Sequence, residues 1–119
     1  MFIVNLLLTC FHEGHITLRV IQLAPFKKEI KDFPSSTRED LFSLIVRFAN
    51  DEIMSTNDLK IFKIDERLKV YEFRTKDQHG NWRVISTVLN KELLILIYAL
   101  HKKSQSLLDK DKEVIRKRL

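Results

Sequence analysis

The clearest chemical signal in this sequence lies in residues 68–76. The segment is rich in Val, Tyr, Phe and Thr, which favours a β-strand. Because side chains alternate across a strand, Glu72, Arg74 and Lys76 should share one face, and the aromatic residues between them should face the other way. A carboxylate beside two cations can exchange a proton and stabilise developing negative charge. Glu72 and Arg74 are therefore candidates for one shared site, and the alternative is an ion pair with a purely structural role.

His101 follows a long apolar run and is a further candidate acid or base. The pKa of an imidazole lies near neutrality, although a lone histidine at a strand end is more often structural. His12 and His15 flank one expected turn, and His79 lies in another. Their spacing does not bring three metal ligands together. We expect no metal ion and no other cofactor.

Hydrophobic patterning predicts the elements that must position these residues. Residues 2–11 and 16–23 are expected to form a strand pair, and two helices should follow on either side of Pro34. Further strands are expected over residues 60–64, 68–76, 81–90 and 92–101, with a terminal helix over 109–119. Short polar breaks between the later strands suit hairpins, which join antiparallel neighbours. The predicted fold class is α+β, with an N-terminal strand and two helices on a central antiparallel sheet, and a C-terminal helix.

Positive charge is concentrated in the second half of the chain. The 119 residues carry a formal net charge of +5. Residues 1–59 contain six Lys or Arg against eight Asp or Glu, whereas residues 60–119 contain fifteen against eight. Such a one-sided field attracts nucleic acid or an acidic protein partner. A solvated lysine-rich surface is the alternative.

Cysteine content and hydropathy indicate the compartment. Cys10 is the only cysteine, so it cannot form an intrachain disulfide, and a reducing cytoplasm fits best. The apolar stretch over residues 2–11 is much shorter than the roughly 20 residues of a membrane span. It also lacks the basic segment and the small-residue cleavage site of a secretory signal. We expect a cytoplasmic protein that does not contact the membrane.

Four short segments resemble successive signatures of one toxin superfamily. They are Val70-Tyr71-Glu72-Phe73-Arg74, Trp82-Arg83-Val84, Tyr98-Ala99-Leu100-His101-Lys102-Lys103-Ser104-Gln105, and Glu113-Val114-Ile115-Arg116-Lys117-Arg118-Leu119. Their order and spacing resemble the RelE/ParE superfamily, and most of all its phage-derived, HigB-like branch. The resemblance covers residues 19–119 as a toxin domain. It leaves residues 1–18 as an N-terminal arm or an extra strand.

The resemblance implies a function and a set of site residues. The implied function is that of a type II toxin–antitoxin toxin, a metal-independent endoribonuclease that cleaves mRNA on the ribosome. Arg83 falls where the family keeps a phosphate-stabilising arginine, and Lys102 and Lys103 fall where it keeps a basic pair. The expected catalytic residues are Glu72, Arg74, Arg83 and His101, and the expected RNA-binding residues are Lys76, Lys102 and Lys103. Trp82 is expected to pack in the core, with base stacking as the alternative.

Partners and rival functions follow from the same resemblance. The expected partner is a helix-turn-helix antitoxin, and operator DNA would be bound only through the complex of toxin and antitoxin. One rival is a ParE-like toxin that poisons gyrase without nuclease activity. Another is a phage-encoded module that binds nucleic acid without cutting it. Demonstrated scission of RNA would separate the first function from both rivals.

Overall fold

The fold consists of six strands and three helices in the part of the chain that the structure describes. The computed structural model describes residues 17–102 and 107–119, together with the backbone of residues 3–6. The elements in chain order are β1 (Ile3–Leu6), β2 (Arg19–Leu23), α1 (Ala24–Ile30), α2 (Ser35–Ala49), β3 (Leu59–Asp65), β4 (Leu68–Asp77), β5 (Gly80–Leu89), β6 (Leu93–Lys102) and α3 (Asp109–Arg118). The α+β class is confirmed. Within these ranges, no helix is both long and apolar enough to cross a membrane.

The sheet is mixed, so the prediction of an antiparallel sheet was wrong. The strand order is β1-β2-β6-β5-β4-β3. The meander β3 to β6 is antiparallel, and β1 pairs antiparallel with β2, but β2 runs parallel to β6. Short loops between consecutive strands reveal antiparallel neighbours, whereas β2 and β6 are separated by two helices and three strands. Nothing in a local pattern indicates that such distant strands pair, or in which direction.

α1 and α2 lie on one face of the sheet, and α3 lies on the other. Phe48 of α2 packs against Phe73 of β4 at 5.6 Å between ring centroids, and Phe33 packs against Trp82 of β5 at 4.8 Å. The side chains that alternate with these residues face α3, whose Ile115 is fully buried. Alternation on β4 therefore separates an aromatic face under α1 and α2 from a polar face under α3.

A carboxylate and a guanidinium attach α3 to the rest of the fold. Pairing between β2 and β6 ends at Leu96, and among the described residues no strand pairs with the following stretch of β6 on that side. Glu29 of α1 accepts the Ala99 N–H at 3.2 Å, and Arg118 donates to the Ile97 carbonyl at 2.9 Å. Arg118 also donates two hydrogen bonds of 2.8 Å to Glu29. The end of α3 is thus attached to both α1 and β6.

The β4–β5 turn sets the register between these two neighbouring strands. Asp77 pairs with Gly80, and the Asp77 carboxylate accepts the His79 N–H at 2.8 Å. Gly80 has φ of +128°, in a region that residues with a Cβ rarely adopt. From this turn the register runs back so that Arg74 lies directly opposite Arg83. Directly opposite residues share a face, so this register brings both arginines to the α3 side of the sheet.

Candidate active site

Glu72 lies on β4, one strand in from the β3 edge of the sheet, on the face that α3 covers. It is directly opposite Lys60 of β3 and Ile85 of β5, and only 1% of its surface is exposed. A buried carboxylate is costly unless cations or donors compensate it. The sequence supplies those cations on the neighbouring strands, so Glu72 is the centre around which the site is built.

Two arginines contact the Glu72 carboxylate from different strands. Arg83 Nη1 donates to Glu72 Oε2 at 3.4 Å, and Arg74 Nε lies 3.8 Å from Oε1. Arg83 is as buried as Glu72, whereas Arg74 is partly exposed and also donates to the Thr56 carbonyl at 2.9 Å. Within the described part of the chain, Oε1 of Glu72 accepts no hydrogen bond. One carboxylate oxygen is therefore held by Arg83, while the other keeps capacity to accept a proton.

The pKa of Glu72 is raised above its ordinary value. The main cause is burial, which penalises the charged carboxylate. Arg83, Arg74, Lys60 and Lys102 act in the opposite direction through their positive charge, and they only partly offset the effect of burial. A carboxyl group with a raised pKa is a better proton acceptor once it is ionised, which suits general base catalysis.

A small pocket of about 170 Å³ opens above this cluster. Glu72 and Arg83 belong to its floor on β4 and β5. Its other walls come from β3 and from the C-terminal segment, and they are Lys60, Phe62, Lys63, Leu107 and Lys112. We call this the lysine-rimmed pocket. Three lysines around a buried carboxylate create a positive site into which an anion such as a phosphate can enter.

Sequence reasoning missed the lysines of this rim. Lys60 and Lys63 lie on β3 and Lys112 lies on α3, far from Glu72 in the sequence. Lys60 could have been found only from the register of β3 against β4, because it reaches the site by standing opposite Glu72. The presence of Lys112 at the site depends on where α3 crosses the sheet, and the local sequence carries no signal for that position.

His101 does not lie with Glu72 and Arg83. His101 is on β6, directly opposite Trp82 of β5. The two rings stack with their centroids 3.7 Å apart and an interplanar angle of 6°. Trp82 in turn packs against Phe33, on the side of α1 and α2, as expected for a core residue. The His101 Nε2 is 2.6 Å from the His79 carbonyl oxygen, so this nitrogen carries the proton in that contact. The structure therefore gives His101 a place in the stack that supports the β4–β5 turn.

Lys102 is on the α3 face, but it is buried in an ion pair. Its Nζ lies 2.6 Å from Asp111 Oδ2, and both side chains are more than nine-tenths buried. Asp111 also accepts the Tyr98 hydroxyl at 3.0 Å and the Leu108 N–H at 3.1 Å. Burial would raise the pKa of Asp111, but the hydrogen bonds from Lys102, Leu108 and Tyr98 outweigh it and lower that pKa. Burial, together with the bond to Asp111, raises the pKa of Tyr98 to about 12.

The remaining basic candidates are spread more widely. Lys76 is exposed near the end of β4, where it stands opposite Asn81. On this strand Arg74 lies between Lys76 and the lysine-rimmed pocket. Lys103 lies outside the described residues, as do His12, His15 and Cys10. Of the expected site residues, the structure thus brings together Glu72, Arg74 and Arg83.

Metal ligation is a separate question from proton transfer. In the described ranges, no three His, Cys, Asp or Glu residues are grouped closely enough to hold a metal ion. What the lysine-rimmed pocket does contain is one carboxylate with a raised pKa and several cations. Such a set can take a proton from a hydroxyl group and stabilise negative charge on a phosphate.

The fold and this pocket define a small α+β domain with a basic, carboxylate-centred site. Residues 28–119 match the model of the family described as "Phage derived protein Gp49-like (DUF891)". The match covers most of the chain, so the chain belongs to this phage-derived family, which is related to toxin–antitoxin systems. No curated protein and no solved structure was found to match the chain.

Proposed function

We propose that this protein is the toxin of a type II toxin–antitoxin system, that its domain is RelE-like, and that it is a metal-independent endoribonuclease acting on mRNA. Membership of the Gp49-like family supports the toxin assignment. The observation that carries the nuclease assignment is the buried Glu72, with its raised pKa, at the floor of the lysine-rimmed pocket. RNA supplies its own nucleophile in the ribose 2′-hydroxyl, so an enzyme needs only a base, an acid and fixed positive charge.

In the proposed reaction Glu72 is the general base. Its ionised carboxylate takes the proton of a ribose 2′-hydroxyl, and the resulting oxygen attacks the adjacent phosphorus. The bond from phosphorus to the 5′ oxygen breaks, which leaves a 2′,3′-cyclic phosphate. A rim lysine, Lys60 or Lys112, donates a proton to the departing 5′ oxygen. The negative charge that develops on the phosphate is stabilised by the same lysines and by Arg74.

Arg83 acts in this proposal mainly by positioning Glu72. It is almost completely buried, and its Nη1 donates a hydrogen bond to Glu72 Oε2. A guanidinium fixed in this way orients the carboxylate and leaves Oε1 without a hydrogen bond from the described residues. This changes the role expected from the sequence, in which Arg83 and Arg74 together were to stabilise the transition state. Arg74 is partly exposed and keeps that role.

The proposed substrate is mRNA held in the ribosome, and the proposed partner is a helix-turn-helix antitoxin. A pocket of this size contacts little more than one phosphate, so an external scaffold that presents the message would supply part of the positioning. The cations around the pocket suit an antitoxin segment with acidic side chains, which would compete with RNA for the same charges. Operator DNA would then be bound through the antitoxin.

The experiment that tests this function is primer extension on mRNA from cells that briefly express the protein. Wild-type expression should produce new cleavage ends inside translated messages, and Glu72→Gln should abolish them. Lys60→Gln and Lys31→Gln form a matched pair, since each removes one exposed lysine but only Lys60 lines the pocket. Growth arrest with intact messages would point instead to a gyrase-type target. RNA binding by the purified protein with every phosphodiester bond intact would identify a non-catalytic binding module.

A further inference from the structure

β3 forms one edge of the sheet. It is the last strand in the order β1-β2-β6-β5-β4-β3, so among the described residues no strand pairs with its outer side. The Arg74 N–H donates to the Asp58 carbonyl at 2.9 Å, immediately before β3 begins. In an antiparallel pair, the backbone groups of successive residues point alternately toward the partner strand and away from it. Ile61 and Lys63 therefore direct their N–H and C=O groups outward, where an added strand can pair with them.

An apolar pocket opens along this edge, on the face that α2 covers. We call it the edge pocket. Its volume is about 480 Å³, and its apolar wall is formed by Phe48, Met54, Leu59 and Ile61. Ile61 stands opposite Tyr71, whose ring centroid is 5.2 Å from that of Phe48, and Ile61 itself is 49% exposed. The edge of the sheet thus presents outward backbone groups and an open apolar pocket side by side.

The same edge carries positive charge. Lys60 stands opposite Glu72 on the α3 face, and it lines both the edge pocket and the lysine-rimmed pocket. Lys63 also lines the lysine-rimmed pocket, and both lysines are exposed. Glu52, the carboxylate in the wall of the edge pocket, lies 3.7 Å from the guanidinium of Arg47. An acidic strand is attracted to this edge, whereas a second copy would add the two lysines of its own residues 59–63, and close like charges are disfavoured.

We propose that this edge accepts an extended segment of the antitoxin as an added β-strand. The inference rests on the proposed toxin function and names the surface by which the antitoxin blocks the site. Backbone hydrogen bonds supply affinity in this mode of binding, and pockets for alternate side chains supply specificity. Alternation on the added strand sends apolar side chains into the edge pocket beside Ile61 and acidic side chains toward Lys60. Because Lys60 also lines the lysine-rimmed pocket, the bound strand competes there with RNA.

Nuclear magnetic resonance titration of the full chain with synthetic peptides tests this proposal. The probe is a seven-residue peptide that alternates glutamate and valine. One control peptide alternates lysine and valine, and the other is the probe with N-methylated valines, which cannot donate backbone hydrogen bonds to β3. We expect the probe to shift the amide resonances of Ile61 and Lys63 and to slow their hydrogen exchange. Both effects should be lost with either control peptide.

Ile61→Thr and Ile53→Thr form a matched pair of variants. Each replaces one exposed isoleucine by another β-branched residue, but only Ile61 lies on β3 and lines the edge pocket. Ile61→Thr should weaken binding of the probe by roughly tenfold, the scale of one partly buried apolar side chain. Ile53→Thr should leave that binding unchanged, and circular dichroism checks that both variants fold.

The outcomes separate this proposal from the nuclease function. No effect of the probe at Ile61 and Lys63, or equal binding of the N-methylated peptide, would overturn the added strand. Equal binding of the lysine peptide would overturn the acidic partner. Protection of these amides that rises with protein concentration, without peptide, would make a second copy the occupant and would also overturn the proposal. Cleavage of RNA with an unresponsive β3 leaves the nuclease standing, and a responsive β3 without cleavage leaves the docking edge and contradicts the nuclease.

Discussion

Arg74 and Arg83 stand directly opposite each other on β4 and β5, and Glu72 contacts both of them. Like charges placed directly opposite on neighbouring strands destabilise a sheet. The Glu72 carboxylate offsets this repulsion, but it does so from a buried position that raises its own pKa. An arrangement in which charges of both signs are held at a cost to stability is typical of a functional site. The first predictions therefore concern Glu72.

Replacement of Glu72 by Gln should abolish RNA cleavage and preserve the fold. The amide is close in size to the carboxylate and still accepts the Arg83 hydrogen bond, but it cannot take a proton. Loss of a general base lowers the rate by about 10²- to 10⁴-fold. The rate should be measured with purified protein and a short RNA, with circular dichroism as the control for folding. Cleavage at the wild-type rate by a folded Glu72→Gln variant would remove Glu72 from the mechanism.

The pH dependence of cleavage should report the raised pKa of Glu72. A general base acts in its ionised form, so kcat/KM should rise with pH through a midpoint above the ordinary glutamate pKa of 4.5. Arg83→Lys keeps the charge and loses the planar guanidinium, so it should shift that midpoint as well as lower kcat. A profile with the same midpoint in wild type and Arg83→Lys would contradict the positioning role of Arg83.

Stability should also depend on pH through Glu72. The folded-state pKa lies above the unfolded value, so the folded protein retains this proton more readily. The contribution of the carboxyl group to stability is then fully present below pH 4.5 and is lost as the pH rises through the folded pKa. Urea denaturation from pH 4 upward should show a smaller loss of stability for Glu72→Gln than for wild type. An equal loss in both proteins would assign the pH dependence to other groups.

The Lys102–Asp111 pair should be a strong determinant of how α3 is held. Asp111→Ala leaves the Lys102 ammonium buried without this partner and should cost about 3–5 kcal/mol of unfolding free energy. Lys102→Met combined with Asp111→Leu removes both charges and should recover much of that loss. Because the pKa of Asp111 is lowered, its contribution is present above its ordinary pKa of 3.8 and is lost as the pH falls through the folded value. A double variant as unstable as Asp111→Ala would show that packing, and not charge, dominates here.

Gly80→Ala should destabilise the β4–β5 turn. A Cβ at Gly80 would lie 2.8 Å from His101 Nε2 and 2.9 Å from the Lys102 carbonyl oxygen, at a φ of +128°. The expected cost is about 1–3 kcal/mol, measured by thermal or urea unfolding. Adding His101→Ala should restore only part of the stability, because the contact with the Lys102 backbone and the strained φ persist. Gln78→Ala, in the same turn and exposed, is the control and should change stability by less than about 0.5 kcal/mol.

The elements themselves were predictable from the sequence. Segments rich in β-branched and aromatic residues indicated β4 and β5, a long apolar run indicated β6, and apolar spacing indicated α1 and α2. Alternation also placed Glu72 and Arg74 on one face and Phe73 on the other, where Phe48 covers it. These predictions succeed because they depend on neighbours in the chain, whose spacing the sequence states directly.

The site, in contrast, was decided largely by tertiary structure. The parallel pairing of β2 with β6 and the place of Lys60 opposite Glu72 are facts of strand order and register. His101 and Lys102 are consecutive residues, yet one stacks on Trp82 and the other pairs with Asp111, because alternation sends them to opposite faces. The sequence by itself determined which charges this protein carries and on which elements. Only the packing of distant elements decided which charges meet, because the burial that changes their chemistry arises from contacts between residues far apart in the chain.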